Sequence, residues 1–359
     1  MLVPAPLLKD EPLHHGGKLE AASEQYGIPV EQWLDLSTGI NPCVYPIPHV
    51  PERYFHHLPE VDCTQFKAAA TAYYGSQNIL AASGSQRFIE LLPSLRAPCR
   101  VALPDVGYQE HLYHWQRNGH QTFLYNGFQP ETVENSIRSG DVDVVVLINP
   151  CNPTGACVSL AVLREWQQLL SARGGWLLID EAFIDCSPEW SFSQCSHLPG
   201  VIVLRSLGKF FGLAGIRMGF ALAGDDVIAA LAEKVGPWAI SGPSQFITMK
   251  ALQDIPWQQE NRQGLAANSQ WMTALLQKYL AVNIQQLLST DLFISLLLEV
   301  AVAETLFDSL ARQGILIRFW PMSKTVALLR FGLIAENQPA ERQRFEQVLA
   351  QISIAVPAV

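Results

Sequence analysis

Short apolar runs alternate with amphipathic helical patterns through the middle of the chain. Two of the runs, residues 176–179 and 201–204, are apolar at every position, which is typical of strands buried on both faces of a sheet. Their alternation with helical segments predicts a mostly parallel central sheet covered by helices. The predicted strands are 100–103, 120–125, 142–148, 176–179 and 201–204, and the helices between them are 108–118, 130–139 and 159–172.

The pattern changes in the last third of the chain. Helical segments dominate to about residue 280, and then strands at 292–298, 316–319 and 325–331 alternate with helices at 303–312 and 339–354. This second pattern predicts a smaller α+β domain with its own sheet. A chain of 359 residues also exceeds what one hydrophobic core usually serves. The predicted ranges are 1–51 for an N-terminal arm that joins the small domain, 52–246 for the large domain and 247–359 for the small C-terminal domain.

Composition excludes several classes of protein. Hydrophobic residues make up 49% of the chain and charged residues only 16%, so the chain has ample apolar surface for a core and disorder is not expected. The net charge of -9 and the lack of a Lys/Arg cluster argue against a nucleic-acid partner. No apolar run reaches the roughly 18 residues of a membrane span, and the Pro-rich start is too short for a signal peptide. A cytoplasmic protein is expected.

Cysteine and histidine spacing gives no sign of a metal or of disulfides. The seven cysteines are an odd number and contain no C-x-x-C pair. The pairs His14-His15 and His56-His57 have no acidic or cysteine partners at ligand spacing. We therefore predict no metal.

Polar residues follow several predicted strands at the edge where doubly wound sheets bind ligands. Each group alone has an ordinary explanation: a turn, a helix cap or a surface lysine. A Gly-Ser turn that opens a helix is also a natural site for an anion. The groups are the loop Asn149-Pro150-Cys151-Asn152-Pro153-Thr154-Gly155, the acids Asp180-Glu181, the run Arg205-Ser206-Leu207-Gly208-Lys209 with Arg217, and the turn Gly84-Ser85-Gln86.

Together these groups supply what pyridoxal 5'-phosphate needs. A carboxylate keeps the pyridine nitrogen of the cofactor protonated, and a lysine forms a Schiff base with its aldehyde. An amide bonds the phenolic oxygen, and a Ser/Arg cradle holds the phosphate. The combination indicates an enzyme that acts on a small amino acid.

Three motifs in this order resemble the fold-type I aminotransferases, near the histidinol-phosphate aminotransferase branch. They are N-P-C-N-P-T-G from Asn149, D-E-A-F from Asp180 and S-L-G-K-x-x-G-L-A-G-I-R-M-G from Ser206. The resemblance runs from about residue 15 to 331 and implies the fold-type I architecture. It implies these roles: Lys209 as the Schiff-base lysine and proton carrier, Asp180 against the pyridine nitrogen, Asn152 against the phenolic oxygen, Tyr108 stacked on the ring, Ser206, Arg217, Gly84, Ser85 and Gln86 at the phosphate, and Arg330 at the substrate carboxylate.

Two positions depart from the family pattern. Relatives often have Tyr where this chain has Phe183, so Asn152 would act on the phenolic oxygen with one partner fewer. Relatives also often have Tyr-Pro-Asp/Glu, with a tyrosine that reaches the partner subunit's cofactor phosphate. This chain has Leu58-Pro59-Glu60 instead, which puts that cross-subunit hydroxyl in doubt.

The first 42 residues narrow the resemblance. The strings H-G-G-K-L from His15 and L-S-T-G-I-N-P from Leu36 are similar to the start of the L-threonine-O-3-phosphate decarboxylases of cobalamin biosynthesis. This resemblance implies decarboxylation of L-threonine O-3-phosphate to (R)-1-amino-2-propanol O-2-phosphate. We predict that His15, Asn41 and Arg318 lie near the substrate, with His15 or Arg318 at its phosphate. We also expect a homodimer with its active site between the lobes and at the dimer interface.

Two other functions remain open at this point. An aminotransferase, such as one for histidinol phosphate, would use the same residues and break a different bond. A non-catalytic cofactor-binding sensor is the other alternative, but the chain lacks an additional DNA-binding domain and a basic patch.

Overall fold

The computed structural model describes residues 2–6, 16–59 and 64–355. The predicted site residue His15 lies outside the described residues, as does Glu60. Contacts divide the chain into two compact units, Met1–Leu13 with Tyr45–Ile255 and His14–Val44 with Pro256–Val359. These boundaries fall near residues 44 and 255, whereas the sequence places domain boundaries after residues 51 and 246. The predicted domain ranges stay a prediction.

Helices and strands follow the predicted pattern closely. The strands are β1 (Val3–Pro4), β2 (Leu34–Asp35), β3 (Ile79–Ala82), β4 (Arg100–Pro104), β5 (Gln121–Tyr125), β6 (Val144–Ile148), β7 (Trp176–Asp180), β8 (Val201–Ser206), β9 (Gly219–Ala223), β10 (Gln286–Ser289), β11 (Phe293–Glu299), β12 (Ile315–Leu316), β13 (Arg318–Pro321) and β14 (Val326–Gly332). The α-helices are α1 (Leu19–Tyr26), α2 (Arg53–His56), α3 (Thr64–Tyr74), α4 (Ser85–Leu91), α5 (Glu110–Arg117), α6 (Glu134–Ser139), α7 (Leu160–Ser171), α8 (Asp225–Val235), α9 (Gly242–Gln253), α10 (Ile255–Leu280), α11 (Val300–Ala311) and α12 (Pro339–Ala355). Among the residues that the structure describes, none of the helices combines the length and the apolar character that a membrane span requires.

The first unit is built on a large mixed sheet. Over the described residues the strand order is β1-β5-β4-β6-β7-β8-β9-β3. Strands β5, β4, β6, β7 and β8 are parallel to one another, whereas β1 pairs antiparallel with β5 and β9 pairs antiparallel with β8. Parallel strands need crossover connections, and α5, α6 and α7 lie in those connections. The predicted mostly parallel sheet is therefore confirmed.

The centre of this sheet is fully apolar. Every residue of β6 is buried, and so are the central residues of β7 and β8. Each buried Val, Leu or Ile side chain stabilises the fold by about 1.5–3 kcal/mol relative to exposure. The register pairs Ile148 with Asp180, and Asp180 with Leu204. The carboxyl ends of β6, β7 and β8 therefore meet at one edge, where the apolar positions give way to charged ones.

The second unit contains two smaller sheets. In the described chain, one has the antiparallel order β10-β11-β14-β13, and the other pairs β12 with β2 in parallel. Helix α11 packs on β14. Apolar side chains of β11 and β14, such as Phe293 and Leu329, are fully buried. This unit is the α+β part that the sequence predicts.

One predicted strand is wrong. The sequence predicts a single strand over 316–319, but the structure has two short strands that belong to different sheets. Ile315–Leu316 pairs with β2, and Arg318–Pro321 pairs with β14. An apolar run shows which residues are extended, but it cannot show that the pairing partner changes at Ile317.

Candidate active site

Three of the predicted site loops lie at one edge of the large sheet. Asp180 is the last residue of β7, and its carbonyl oxygen accepts a hydrogen bond of 2.8 Å from the backbone N–H of Asn149, at the start of the Asn152 loop. Ser206 is the last residue of β8, directly before the loop that contains Lys209. The pairing of β6, β7 and β8 therefore places these loops side by side.

The two adjacent acids at the end of β7 have different partners. The Asp180 carboxylate lies 3.0 Å from Nε2 of His111 on α5, and both side chains are almost fully buried. Glu181 instead accepts a hydrogen bond of 3.0 Å from Nη1 of buried Arg205. Successive residues of a strand point to opposite faces, which explains the divergence. The buried cationic partner at the end of β7 is therefore Arg205, and it faces Glu181.

Sequence reasoning missed His111. Among the described residues its Nδ1 has no hydrogen-bond partner, and its ring meets the ring of Tyr108 edge-on, at 6.4 Å between centroids. Only part of the signal was available: residues three apart on a helix are neighbours and Tyr108 lies at the predicted start of this helix, but helix spacing does not give the contact of His111 with Asp180. A buried carboxylate next to an imidazole can hold a protonated nitrogen of a ligand in place.

Tyr108 is joined to the turn at the start of α4. Its hydroxyl donates to Oε1 of Gln86 at 3.0 Å, and Nε2 of Gln86 donates to Glu110 at 2.9 Å. Burial raises the pKa of Tyr108 above its usual value, and the charges of Glu110 and Asp180 raise it further. The phenol therefore stays protonated at neutral pH. The Gln86 amide already bonds protein groups at both ends, and its contact with a cofactor phosphate stays a prediction.

The turn at the start of α4 lies beside the end of β8, with the Arg217 guanidinium next to it. A Cβ atom on Gly84, whose φ is +86°, would lie 2.6 Å from Nη2 of Arg217, so the guanidinium lies directly over this glycine. A Cβ on Gly219 would lie 2.1 Å from the backbone nitrogen of Ser85, and Gly219 pairs with Ser206. The structure thus brings together the predicted phosphate ligands Gly84, Ser85, Ser206 and Arg217. Backbone N–H groups and a guanidinium suit a phosphate.

Lys209 lies in the loop after β8. Its Nζ is 5.4 Å from the centroid of the Phe183 ring, and Phe183 is buried. An aromatic face within about 6 Å of an ammonium attracts it. The residue that replaces the family's usual tyrosine therefore faces the lysine.

A second cationic group lies within the second unit. Arg318 on β13 and Arg330 on β14 are directly opposite each other, and their guanidinium carbons lie 4.8 and 5.3 Å from the centroid of the same Trp320 ring. Burial and the neighbouring Arg318 lower the pKa of Arg330 to about 9, and burial lowers the pKa of Arg318. Arg330 also donates to the carbonyl oxygen of Ser37. Two positively charged groups that lie close together and are shielded from solvent favour binding of an anion.

Asn41 belongs to the same unit as these arginines. It is buried, its Nδ2 donates to Asn261 at 3.0 Å, and its Oδ1 accepts from the backbone N–H of Cys43 at 2.8 Å. These bonds hold the turn at 41–43 to α10. A contact between Asn41 and a substrate stays a prediction.

The chain is similar to known proteins over most of its length. The model of the family "Aminotransferase class I and II" matches residues 51–349. A threonine-phosphate decarboxylase of Pseudomonas aeruginosa is 43% identical over 325 residues, which cover 90% of this chain and 94% of that protein. A histidinol-phosphate aminotransferase of Yersinia enterocolitica is 29% identical over 280 residues, 74% of this chain and 72% of that protein.

A solved structure confirms the predicted fold class. The histidinol-phosphate aminotransferase of Sinorhizobium meliloti, solved in complex with pyridoxal-5'-phosphate, superposes with a TM-score of 0.78 at 19% identity and covers 97% of this chain and 96% of that one. The family match spans most of the chain, and it includes the sheet edge where Asp180, Ser206 and Lys209 lie. The chain therefore belongs to the aminotransferase class I and II family.

Proposed function

We propose that the chain is a pyridoxal 5'-phosphate-dependent carboxy-lyase that converts L-threonine O-3-phosphate into (R)-1-amino-2-propanol O-2-phosphate for cobalamin biosynthesis. The similarity to the Pseudomonas aeruginosa threonine-phosphate decarboxylase over nearly the whole chain supports this choice. The observation that carries it is the pair of guanidinium groups on the Trp320 ring, because this substrate has two anionic groups on a small carbon skeleton.

The residues of the first unit fit the cofactor. A Cβ at Gly84 would fill the space under the Arg217 guanidinium, and the buried Asp180 carboxylate has a single imidazole as its side-chain partner among the described contacts. Bound there, the cofactor supplies a cationic ring that draws electrons from a bond at the substrate's central carbon. The residues that would hold it are Lys209 through its amine, Asp180 at the ring nitrogen, Asn152 at the phenolic oxygen, Tyr108 at the ring face, and Ser206, Arg217, Gly84, Ser85 and Gln86 at the phosphate.

Two residues would hold or transfer protons in the reaction. The Asp180 carboxylate keeps a proton on the ring nitrogen, and its 3.0 Å contact with His111 fixes its orientation. The Nζ of Lys209 delivers a proton to the substrate's central carbon after the bond to the carboxylate breaks and carbon dioxide leaves. The product is then an amine, and no oxo-acid acceptor is consumed.

The arginine pair would decide which bond breaks. Arg330 binds the substrate carboxylate and Arg318 its phosphate, so the substrate is held at two points. Two fixed points would set the rotation about the central carbon, and this rotation would determine which bond at that carbon is presented to the cofactor. Orientation therefore selects loss of the carboxylate over loss of the hydrogen, which an aminotransferase would remove.

Turnover of L-threonine O-3-phosphate tests the proposal. Purified protein loaded with pyridoxal 5'-phosphate should release carbon dioxide from this substrate without 2-oxoglutarate. The Lys209→Ala variant should release none and should not retain the cofactor after borohydride treatment. A strict need for an oxo-acid acceptor, with histidinol phosphate as the better substrate, would refute decarboxylation and identify an aminotransferase.

We also propose that the chain acts in the cytoplasm as a homodimer. The segment before α3 exposes large apolar side chains, with Ile47 60%, Phe55 65% and Leu58 70% exposed. Exposed apolar patches of this kind commonly mark protein interfaces. Sedimentation should give a dimer for the wild type and a monomer for Phe55→Asp combined with Leu58→Asp, while a dimeric double variant would contradict this interface.

A further inference from the structure

A buried charge cluster lies directly before the predicted cofactor loop. Arg205, the residue before Ser206, donates through Nη1 to Glu181 at 3.0 Å, to Ser191 at 2.8 Å and to Ser193 at 2.9 Å. Its Nη2 donates to Asp185. The side chains of Arg205 and both acids are at most 3% exposed. These residues, called here the Arg205 cluster, have no role in the function proposed above.

The same cluster reaches the other end of the loop through Tyr73. The Tyr73 hydroxyl donates to Oδ1 of Asp185 at 3.0 Å, and its ring lies 5.9 Å from the ring of Phe211, between centroids. Phe211 follows Lys209 by two residues, and its carbonyl oxygen accepts a hydrogen bond of 2.9 Å from the backbone N–H of Tyr45. The loop is therefore held before Ser206 by Arg205 and after Lys209 by Phe211.

The charges in the cluster make the Tyr73 hydroxyl important. Glu181 and Asp185 both contact the guanidinium of Arg205, and neutral donors add further hydrogen bonds to these buried carboxylates. The hydroxyl of Tyr73 is such a donor to Asp185. Hydrogen bonds to charged groups are stronger than those between neutral groups, and they restrict side chains more tightly. Tyr73 thus connects the charge cluster with the ring that packs against the end of the loop.

We propose that Tyr73 and the Arg205 cluster are positioning residues that hold the Lys209 amine in its reactive place. This inference rests on the proposed function, since it assumes that Lys209 binds the cofactor's aldehyde. A lysine in a loop fixed at both ends loses little freedom when it reacts, and small displacements of a reacting group reduce rates strongly. Loss of the Tyr73 hydroxyl should therefore slow the reaction of Lys209 without changing how the substrate's anions bind.

The chain offers a matched pair of variants. Tyr73→Phe removes the hydroxyl that bonds Asp185. Tyr74→Phe removes a neighbouring hydroxyl that has no hydrogen-bond partner among the described residues, while the Tyr74 ring stays 4.8 Å from the Arg205 guanidinium. Both variants lose one phenol oxygen from the same helix, and only the first loses the link between cluster and loop.

The test uses cofactor-free protein and pyridoxal, which lacks the phosphate. Its aldehyde condenses with the lysine amine, with loss of one water, and absorbance reports the rate. Borohydride reduction and mass spectrometry identify the modified lysine. We expect Tyr73→Phe to react about tenfold more slowly than the wild type, which is the lower end of the effect of losing a hydrogen bond to a charged group. The rate of Tyr74→Phe should stay within about twofold of the wild-type rate. In the loaded enzyme, Tyr73→Phe should lower kcat and leave KM unchanged.

The outcomes separate the two proposals. If Lys209 of the wild type is not the residue modified, the proposed function fails. If the wild type reacts at Lys209 and Tyr73→Phe reacts equally fast, the positioning role is overturned while the proposed function stands. Phe211→Leu, which removes the ring contact with Tyr73 from the other side, should show the same slowing, and it replaces Tyr73→Phe if that variant does not fold.

Discussion

Replacing Arg318 by glutamine should stabilise the ligand-free protein and weaken substrate binding at the same time. Arg318 and Arg330 lie opposite each other on adjacent strands, and both guanidinium groups lie close to the same Trp320 ring. Without an anion between them their charges repel. Glutamine keeps part of the side-chain stem and removes the charge. The variant therefore relieves the repulsion and removes one ligand of the proposed phosphate site.

The gain in stability and the loss of substrate binding have opposite signs, and the loss of binding is the larger effect. The two guanidinium carbons lie 4.8 and 5.3 Å from one ring centroid, so they are at most about 10 Å apart, and two unit charges at that distance repel by roughly 1.7 kcal/mol at an effective dielectric constant of about 20. Arg318 is only partly buried, so solvent screening reduces this, and we expect the free energy of unfolding to rise by about 0.5–1 kcal/mol. Loss of a charge-assisted hydrogen bond to the phosphate costs about 1.5–3 kcal/mol, which corresponds to a rise in KM of at least tenfold.

Denaturant unfolding of the cofactor-free protein and KM for L-threonine O-3-phosphate measure the two effects. Arg312→Gln is the matched control, because it removes the same charge from an exposed arginine paired with Asp308. It should leave KM unchanged and should not raise stability. If Arg318→Gln destabilises the protein and leaves KM unchanged, Arg318 is a structural residue and the reasoning about the arginine pair is wrong.

Three further substitutions or treatments test the first unit. Gly84→Ala should cost about 1–2 kcal/mol of stability, because φ is +86° at this position. It should also weaken binding of pyridoxal 5'-phosphate about tenfold, because the new Cβ would displace Arg217. Equilibrium dialysis measures the binding, and Gly215→Ala, where no atom lies near the new Cβ, is the control. His111→Phe should lower the thermal midpoint more without cofactor than with it, because the bound ring nitrogen takes over as partner of the buried carboxylate; equal losses would contradict that role. Burial raises the pKa of Cys151 to about 11, so its thiolate is scarce at neutral pH. Alkylation of Cys151, followed by mass spectrometry, should be slow near pH 8 and accelerate towards pH 11. Fast labelling at pH 8 would contradict the burial.

The sequence predicts well those features that depend on local pattern. The apolar runs that form β6, β7 and β8 end where charged and amide residues begin, and parallel strands bring such ends to one edge. For this reason the loops of Asn152, Asp180 and Lys209 can be grouped from the sequence alone. Motif resemblance added the family, which the comparisons confirm.

Features that depend on side-chain direction or strand pairing could not be predicted in the same way. His111 meets Asp180 across 69 residues of chain, and Tyr73 meets Asp185 across 112. Neither of these sequence separations can be inferred from a hydrophobic period or from a turn motif. The opposition of Arg318 and Arg330 depends on the register between β13 and β14, which cannot be obtained from the alternation of one strand.

The two adjacent acids at the end of β7 have different partners, so the register of that strand must be kept for each acid to meet its own partner. Asp180 faces an imidazole and Glu181 a guanidinium, one on each side of the sheet. Adding or deleting one residue within β7 would exchange these surroundings, because every side chain would turn to the opposite face. Each acid would then meet the wrong base, so length changes in this strand should be far less tolerated than substitutions of its apolar residues.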